Sequence, residues 1–311
     1  MSASSGEIGN LTLGQLAQTP VDEVLALIDV EETRLPTPQE LYWRWERQQW
    51  RAQDLDFSQD KADWAAMATP EMRAIRLAGL SAFFVGEASV TDTLAPLCIA
   101  APGEAERIFL STQLVDEARH TVFFERFFRE VIALPGETLE QLLAEARPYV
   151  RPATALMLLE VLPEATSRVQ REPDNTEALI EAVVVYHVLI EGAMALAGQR
   201  GLLNGYRQMN VLPGFRAGFT AVARDESRHV LFGVALLRRM AHQDARYARL
   251  IESVVQRHAP TVWQALAAHP NMVQMVLAEG GNPYETQEFA FESLRKKLKL
   301  IGVSTALPAV A

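Results

Sequence analysis

The chemistry in this 311-residue chain is concentrated in a duplicated pentapeptide, Asp-Glu-x-Arg-His. It reads Asp116-Glu117-Ala118-Arg119-His120 in its first copy and Asp225-Glu226-Ser227-Arg228-His229 in its second. A Glu and a His three residues apart share one face of an α-helix. Each copy can therefore offer a carboxylate and an imidazole to one metal ion, and two copies on facing helices can serve a pair. Each copy also has a lone glutamate upstream. Glu87 lies 30 residues before Glu117 among Phe83, Phe84, Val85 and Val90, and Glu191 lies 35 residues before Glu226. Glu191 is preferred over Glu181 and Glu160 because it follows Val188-Leu189-Ile190, where a charge needs a partner. The expected assignment is Glu87, Glu117 and His120 for one ion and Glu191, Glu226 and His229 for the other, with Glu117 as bridge. Four carboxylates and two imidazoles suit iron and manganese. They neutralise most of the charge of two divalent ions and leave positions open for dioxygen or substrate.

A ligating histidine normally donates its other ring N–H to a carboxylate or carbonyl. Asp116 and Asp225 stand immediately before the motif glutamates. Pseudo-two-fold logic crosses them, so Asp225 is expected beside His120 and Asp116 beside His229. One Glu-x-x-His pair arises often by chance on charged helix faces; two copies with matched upstream glutamates do not. His187, His242, His258 and His269 lack any paired carboxylate spacing and read as ordinary histidines.

Long helices must carry these ligands, and the punctuation of the chain supplies them. After Pro70 a helix is predicted from Glu71 to about Leu94, stopped by Pro96. Pro102-Gly103 opens a second over Glu104–Ala133, ended by Pro135-Gly136. A third is predicted over Thr176–Arg200 with a stop at Gly201, and a fourth over Arg216–Met240 after a break at Asn210–Pro213. The ligand candidates fall one set to each. Shorter helices are predicted near Asp63–Met67, over Thr138–Arg147, and from Pro152 to about Gln170, with two or three more between 243 and 300 and a turn at Gly280–Pro283. A polar connection is expected over Ala52–Asp60. Strand signals are nearly absent; Val183-Val184-Val185 is β-branched but sits inside a longer helical pattern. The fold class is therefore all-α: a bundle with four long metal-binding core helices and additional peripheral helices. Residues 1–38 read as an N-terminal arm, 39–300 as one helical domain and 301–311 as a tail.

The composition supports a large buried core, with 49% hydrophobic residues. A formal net charge of −10 argues against a nucleic-acid partner. The single cysteine, Cys98, allows no intramolecular disulfide and reads as a small buried hydrophobe in a reducing compartment. The N-terminus carries no basic n-region or apolar h-region, and no run reaches about 18 uninterrupted apolar residues. No membrane span and a cytoplasmic location are the expectations.

These residues resemble the ferritin-like superfamily and, within it, the ribonucleotide reductase small subunit. Gln49-Trp50-Arg51 and the following Asp56-Phe57-Ser58-Gln59-Asp60 are similar to the segment of those subunits that carries a radical-relay tryptophan, which Trp50 matches. The reductase radical tyrosine would fall at Phe124, so no tyrosyl radical can form there; a phenylalanine also occurs there in manganese/iron reductase subunits. Two positions resemble the ligand-binding oxidases of this superfamily instead. Val90 follows Glu87 by three residues and Tyr186 precedes Glu191 by five, matching the valine and tyrosine those oxidases cross-link. The resemblance covers about residues 40–240. It implies a manganese/iron cofactor (di-iron being the alternative), dioxygen reduction, a Tyr186–Val90 ether link, a bound long-chain fatty acid or similar hydrophobic ligand, and a homodimer. The stretches 151–170 and 176–200 are apolar enough to line a ligand tunnel. The C-terminal Ala306-Leu307-Pro308-Ala309-Val310-Ala311 lacks the acidic, aromatic tail by which reductase small subunits dock their large partner. The 74 residues between Glu117 and Glu191 exceed the expected spacing, so the region 137–171 is expected to differ from the family. The rivals are a radical-generating reductase subunit and a non-catalytic metal or lipid carrier.

Overall fold

The computed structural model describes residues 10–30, 34–66, 70–269, 273–274, 276–277 and 281–307. Among these residues there are helices, turns and loops and no β-strand, so the chain is all-α as expected. The principal helices are α1 (Pro38–Arg47), α2 (Pro70–Thr93), α3 (Glu104–Phe127), α4 (residues 152–171), α5 (Thr176–Gln208), α6 (Pro213–Gln243), α7 (Ala245–Ala265) and α8 (Glu285–Ile301). Helices α2, α3, α5 and α6 carry the six ligand candidates. Helix α3 packs on α2, while the centre of α5 is enclosed by α6, α7 and α8.

Local chemistry explains where these helices begin. Thr37 and Glu40 form a reciprocal capping box ahead of Pro38, and Asn175 accepts the N–H groups of Glu177 and Ala178 at the start of α5. Helix α6 starts after two left-handed residues, Asn210 and Leu212, with Pro213 in its first turn. Its free N–H groups are taken from outside the helix: Asp60 accepts from Gly214 at 2.9 Å and Phe215 at 2.6 Å. Asp63 accepts from Leu212 at 2.7 Å. Two carboxylates at the positive end of a 31-residue helix fix both its origin and its height in the bundle.

Several boundaries differ from the sequence-based expectation. Helix α5 passes through Gly201 and ends at Gln208. A helical glycine costs about 1 kcal/mol, and the burial of Leu203 and Tyr206 beyond it outweighs that penalty. The middle of α5, Val184–Ala195, is π-helical, a feature the hydrophobic pattern does not encode. Helix α3 ends at Phe127 and passes into a π-helical turn, Phe128–Ile132, closed by a left-handed Ala133. The polar connection after Ala52 is itself partly helical, with a 3-10 turn at Ala52–Asp54 and a helix from Ser58 to Ala66. Met67 and Gly280, at expected element ends, lie outside the described residues. Cys98 is half-buried rather than buried.

By length and hydropathy two segments could cross a membrane, Arg73–Ile99 and Thr176–Gln208. For the second, 89% of the apolar window is buried in the bundle, so its composition is that of a core helix. Close approach to its neighbours needs glycine. A Cβ on Gly233 of α6 would lie 2.2 Å from the His187 Cβ of α5. One on Gly218 would lie 2.4 Å from a Phe123 ring carbon of α3.

Candidate metal centre

Helices α2, α3, α5 and α6 bring all six ligand candidates to one buried point. Glu87, Glu117, His120 and Glu226 form one group, and Glu117, Glu191, Glu226 and His229 a second, each with its donor atoms within 4.8 Å of one another. Glu226 thus faces both groups, as Glu117 does, whereas the sequence singled out Glu117 alone as bridge. The facing of α3 and α6 explains this, because each Glu-x-x-His pair places its carboxylate between the two imidazoles. His120 Nδ1 stands 3.3 Å from Glu87, 3.5 Å from Glu117 and 3.4 Å from Glu226. His229 Nδ1 stands 3.1 Å from both Glu117 and Glu226 and 3.4 Å from Glu191. Both Nδ1 atoms point inward and both Nε2 atoms point away. The competitors are elsewhere: Glu181 pairs with Arg168 and Arg257, and Glu160 is exposed.

The outward side of each imidazole meets an aspartate. His120 Nε2 is 3.4 Å from Asp225 and His229 Nε2 is 3.2 Å from Asp116, the crossed arrangement the motif suggests. Trp50 Nε1 donates to Asp225 at 2.7 Å. The sequence did not anticipate the matching partner of the other half: Trp45 Nε1 donates to Asp116 at 2.9 Å. Nor did it anticipate Arg228, which is 1% exposed and donates to Asp116 at 2.7 Å and Asp225 at 2.8 Å. Arg119 donates to Asp116 at 2.9 Å. The motif arginines were visible in the sequence as a repeated residue type, and that repetition was the available signal for their role.

Electrostatics point to cations. Four carboxylates and two imidazoles are buried together, and among the described residues no lysine or arginine pairs with any of the four glutamates. Burial pushes the Glu87 carboxyl up to about 8, and burial with the neighbouring Glu226 raises Glu191 well above the carboxylate range. Burial works against charge on His120 and His229 too, but the surrounding carboxylates, Glu87 foremost for one and Glu226 for the other, raise both imidazoles. Burial alone would also raise Glu117, yet the two imidazoles beside it, His120 and His229, hold it well below its usual range. His120 Nδ1 and Glu191 Oε2 are fully buried and make no hydrogen bond. A donor set that is rich in negative charge, convergent and incompletely satisfied fits two divalent cations.

Beside this centre, Tyr186 donates its hydroxyl to Glu117 at 2.7 Å and is held from the other side by Gln113 Nε2 at 2.9 Å. Gln113 also donates to Glu191 at 3.2 Å, and its Oε1 faces His187 Nε2 at 3.2 Å. Tyr186 and Glu191 are five residues apart in the π-helical part of α5, one hydrogen-bonded turn of that helix. The sequence placed no role on Gln113 or His187. Phe124 is fully buried and stacks on Phe83 and Phe84. A cavity of about 390 Å³ runs outward from Glu87, Glu117, Glu191 and Glu226. Val90 lines it, followed by apolar and small residues including Phe83, Leu158, Ile190 and Met194. Arg151 lies on the same cavity and bridges to the carbonyls of Ala265 and Ala267.

Paired Glu-x-x-His helices, two further glutamates and a shared buried centre define a dimetal-carboxylate helical bundle. The model of the family "ribonucleotide reductase, small chain" matches residues 28–259, and the chain belongs to that family of dioxygen-dependent dimetal oxidoreductases. Among solved structures it is similar to variants of the R2-like ligand-binding oxidase with anaerobically reconstituted Mn/Fe cofactor. Three of these carry a valine-to-leucine, a valine-to-alanine and a tyrosine-to-phenylalanine substitution. Each is 26% identical with a TM-score of 0.73, and the match covers 86% of this chain and 93% of the other.

Proposed function

We propose that this chain is a manganese/iron ligand-binding oxidase that uses dioxygen to oxidise a long-chain hydrophobic ligand and forms a Tyr186–Val90 ether link. The observation that carries this reading is the apolar cavity that opens directly onto the four glutamates and is lined by Val90. Glu87, Glu117 and His120 would hold one ion, Glu191, Glu226 and His229 the other, with Glu117 and Glu226 between them. The metal pair would supply the redox equivalents for dioxygen reduction.

The protein's own groups prepare the site. Asp225 and Asp116 fix the tautomer of each imidazole so that Nδ1 faces the centre. Glu117 accepts a 2.7 Å hydrogen bond from the Tyr186 hydroxyl, which fixes that oxygen beside the centre. Ether formation removes the hydroxyl hydrogen of Tyr186 and the β-hydrogen of Val90 and joins oxygen to carbon, with two electrons and two protons passing to dioxygen. The cavity wall excludes water and would hold an acyl chain with its polar end toward the carboxylates. Phe124 and its stacked phenylalanines leave no phenol where a reductase tyrosyl radical would reside, which removes the tyrosyl type of reductase subunit but not the tyrosine-less manganese/iron type.

The test is metal analysis with intact mass and peptide mapping after aerobic loading of apoprotein with manganese and iron. Two metals per chain, with loss of two hydrogens mapping to joined Val90 and Tyr186 peptides, is the expected result. Two metals without the linkage moves the assignment to a reductase-type subunit, and absence of metal uptake removes the proposal.

A further inference from the structure

The two halves of the centre differ in what lies behind their tryptophans. Trp50 is 7% exposed, and its ring neighbours are His120, Phe123 and the Arg119 guanidinium. Among the described residues no tyrosine or second tryptophan ring contacts it. Trp45 is only half-buried, and its ring centroid lies 6.0 Å from that of Tyr42, one turn earlier on α1. Tyr42 is itself half-buried, and the exposed Glu46, one turn further along α1, lies near enough to its phenol to raise it. Tryptophan and tyrosine are the side chains a protein can oxidise by one electron and restore, whereas phenylalanine and arginine are not. An oxidised tyrosine must shed its phenolic proton, and the nearby Glu46 carboxylate or solvent can take it. The hydrogen-bonded line His229–Asp116–Trp45, extended by Tyr42 and Glu46, is therefore a continuous redox-competent path from the buried centre to solvent.

We propose that Trp45 and Tyr42 form an electron-entry relay to the His229 side of the centre, fed at the surface by a small one-electron donor of the ascorbate or thiol class. This rests on the dimetal reading above. One electron would pass from Trp45 toward the oxidised centre, and Tyr42 would refill Trp45 while its hydroxyl proton passes to Glu46 or solvent. The donor then gives one electron to Tyr42, which regains a proton from Glu46 or solvent. The net change is one electron from the donor to the centre and oxidation of the donor by one electron. Asp116 holds the Trp45 Nε1 proton throughout and, clamped by Arg119 and Arg228, keeps the indole in register with His229. Trp45 and Tyr42 are assigned to electron delivery.

The test uses the full chain loaded with manganese and iron and oxidised with air. Metal content and dioxygen consumption are measured first, and the reduction of the oxidised centre by ascorbate is then followed optically. Y42F touches no residue of the metal centre, so it is the decisive variant, with W45F beside it and W43F as control, since Trp43 is 50% exposed. Y42F and W45F are expected to slow reduction by about tenfold, while W43F matches the wild type. Peptide mapping gives a readout independent of turnover. Repeated air oxidation without donor should deposit oxygen on the Trp45 and Tyr42 side chains of the wild type. In Y42F the oxidation should stop at Trp45. Equal reduction rates for Y42F and wild type, or oxidation spread evenly over Trp43 and the other exposed aromatics, overturns the relay while leaving the oxidase reading intact. A chain that binds no metal removes both.

Discussion

Arg228→Met tests how the two halves of the centre are tied together. The guanidinium lies 2.7 Å from Asp116 and 2.8 Å from Asp225. At an effective dielectric near 20, each contact is worth about 6 kcal/mol of gross attraction. Against this stands the cost of burying a guanidinium at 1% exposure, itself several kcal/mol. Removing one member of such a cluster leaves buried charge without compensation, which costs about 3–5 kcal/mol. Asp116 keeps Arg119 and Trp45, and Asp225 keeps Trp50, so the lower end of that range applies. For a chain this long about 3 kcal/mol lowers Tm by roughly 5 °C. The aspartates also orient both imidazoles, and loosening such partners typically costs about 10–100-fold in metal affinity. Calorimetry of apo and metal-loaded protein reads the first effect, and competition with a chelating dye the second. Arg228→Lys should recover part of both, because it restores the charge but not the planar group that reaches both aspartates and Gln48 together. A Tm within about 1 °C of wild type together with unchanged metal affinity would refute the reasoning, and would mean that Arg119 and the two indoles suffice.

Three further outcomes are expected. Glu87, Glu191, His120 and His229 all have raised proton affinity in the folded chain. Across this range the folded apoprotein therefore binds more protons than the unfolded chain, so its stability falls as pH rises from about 5 to about 8. Metal loading displaces those protons, so apparent metal affinity and the Tm gap between loaded and apo forms should widen over the same window; a gap that narrows with pH contradicts the assignment. Gln113→Leu removes donors to Tyr186 and Glu191 and should cost about 1–3 kcal/mol. It should also lower the yield of the Val90–Tyr186 linked peptide in mass mapping while metal still binds. Ala82→Phe fills part of the 390 Å³ cavity and replaces no metal-ligand candidate, so on the proposed reading any acyl chain extracted from the wild type should be lost while metal content is kept.

The sequence by itself determined the helical class and the donor set, because both are periodic. Glu117 with His120 and Glu226 with His229 share a helix face through the three-residue offset alone, and Pro70 marks a helix start through backbone chemistry that needs no tertiary partner. The crossing of Asp116 and Asp225 to opposite histidines was also legible, since a repeated motif implies two-fold placement. Contacts between residues far apart in the chain were decided by tertiary structure. The clamp of Arg228 on two aspartates, the pairing of Trp45 with Asp116 across 71 positions and the reach of Gln113 to Tyr186 across 73 have no local periodicity to reveal them. The same holds for Glu226 facing both groups and for the continuation of α5 past Gly201, where burial of Leu203 and Tyr206 overrides a weak local preference. The π-helical stretch that aligns Tyr186 with Glu191 belongs to this set as well, because its form depends on the helices packed around it.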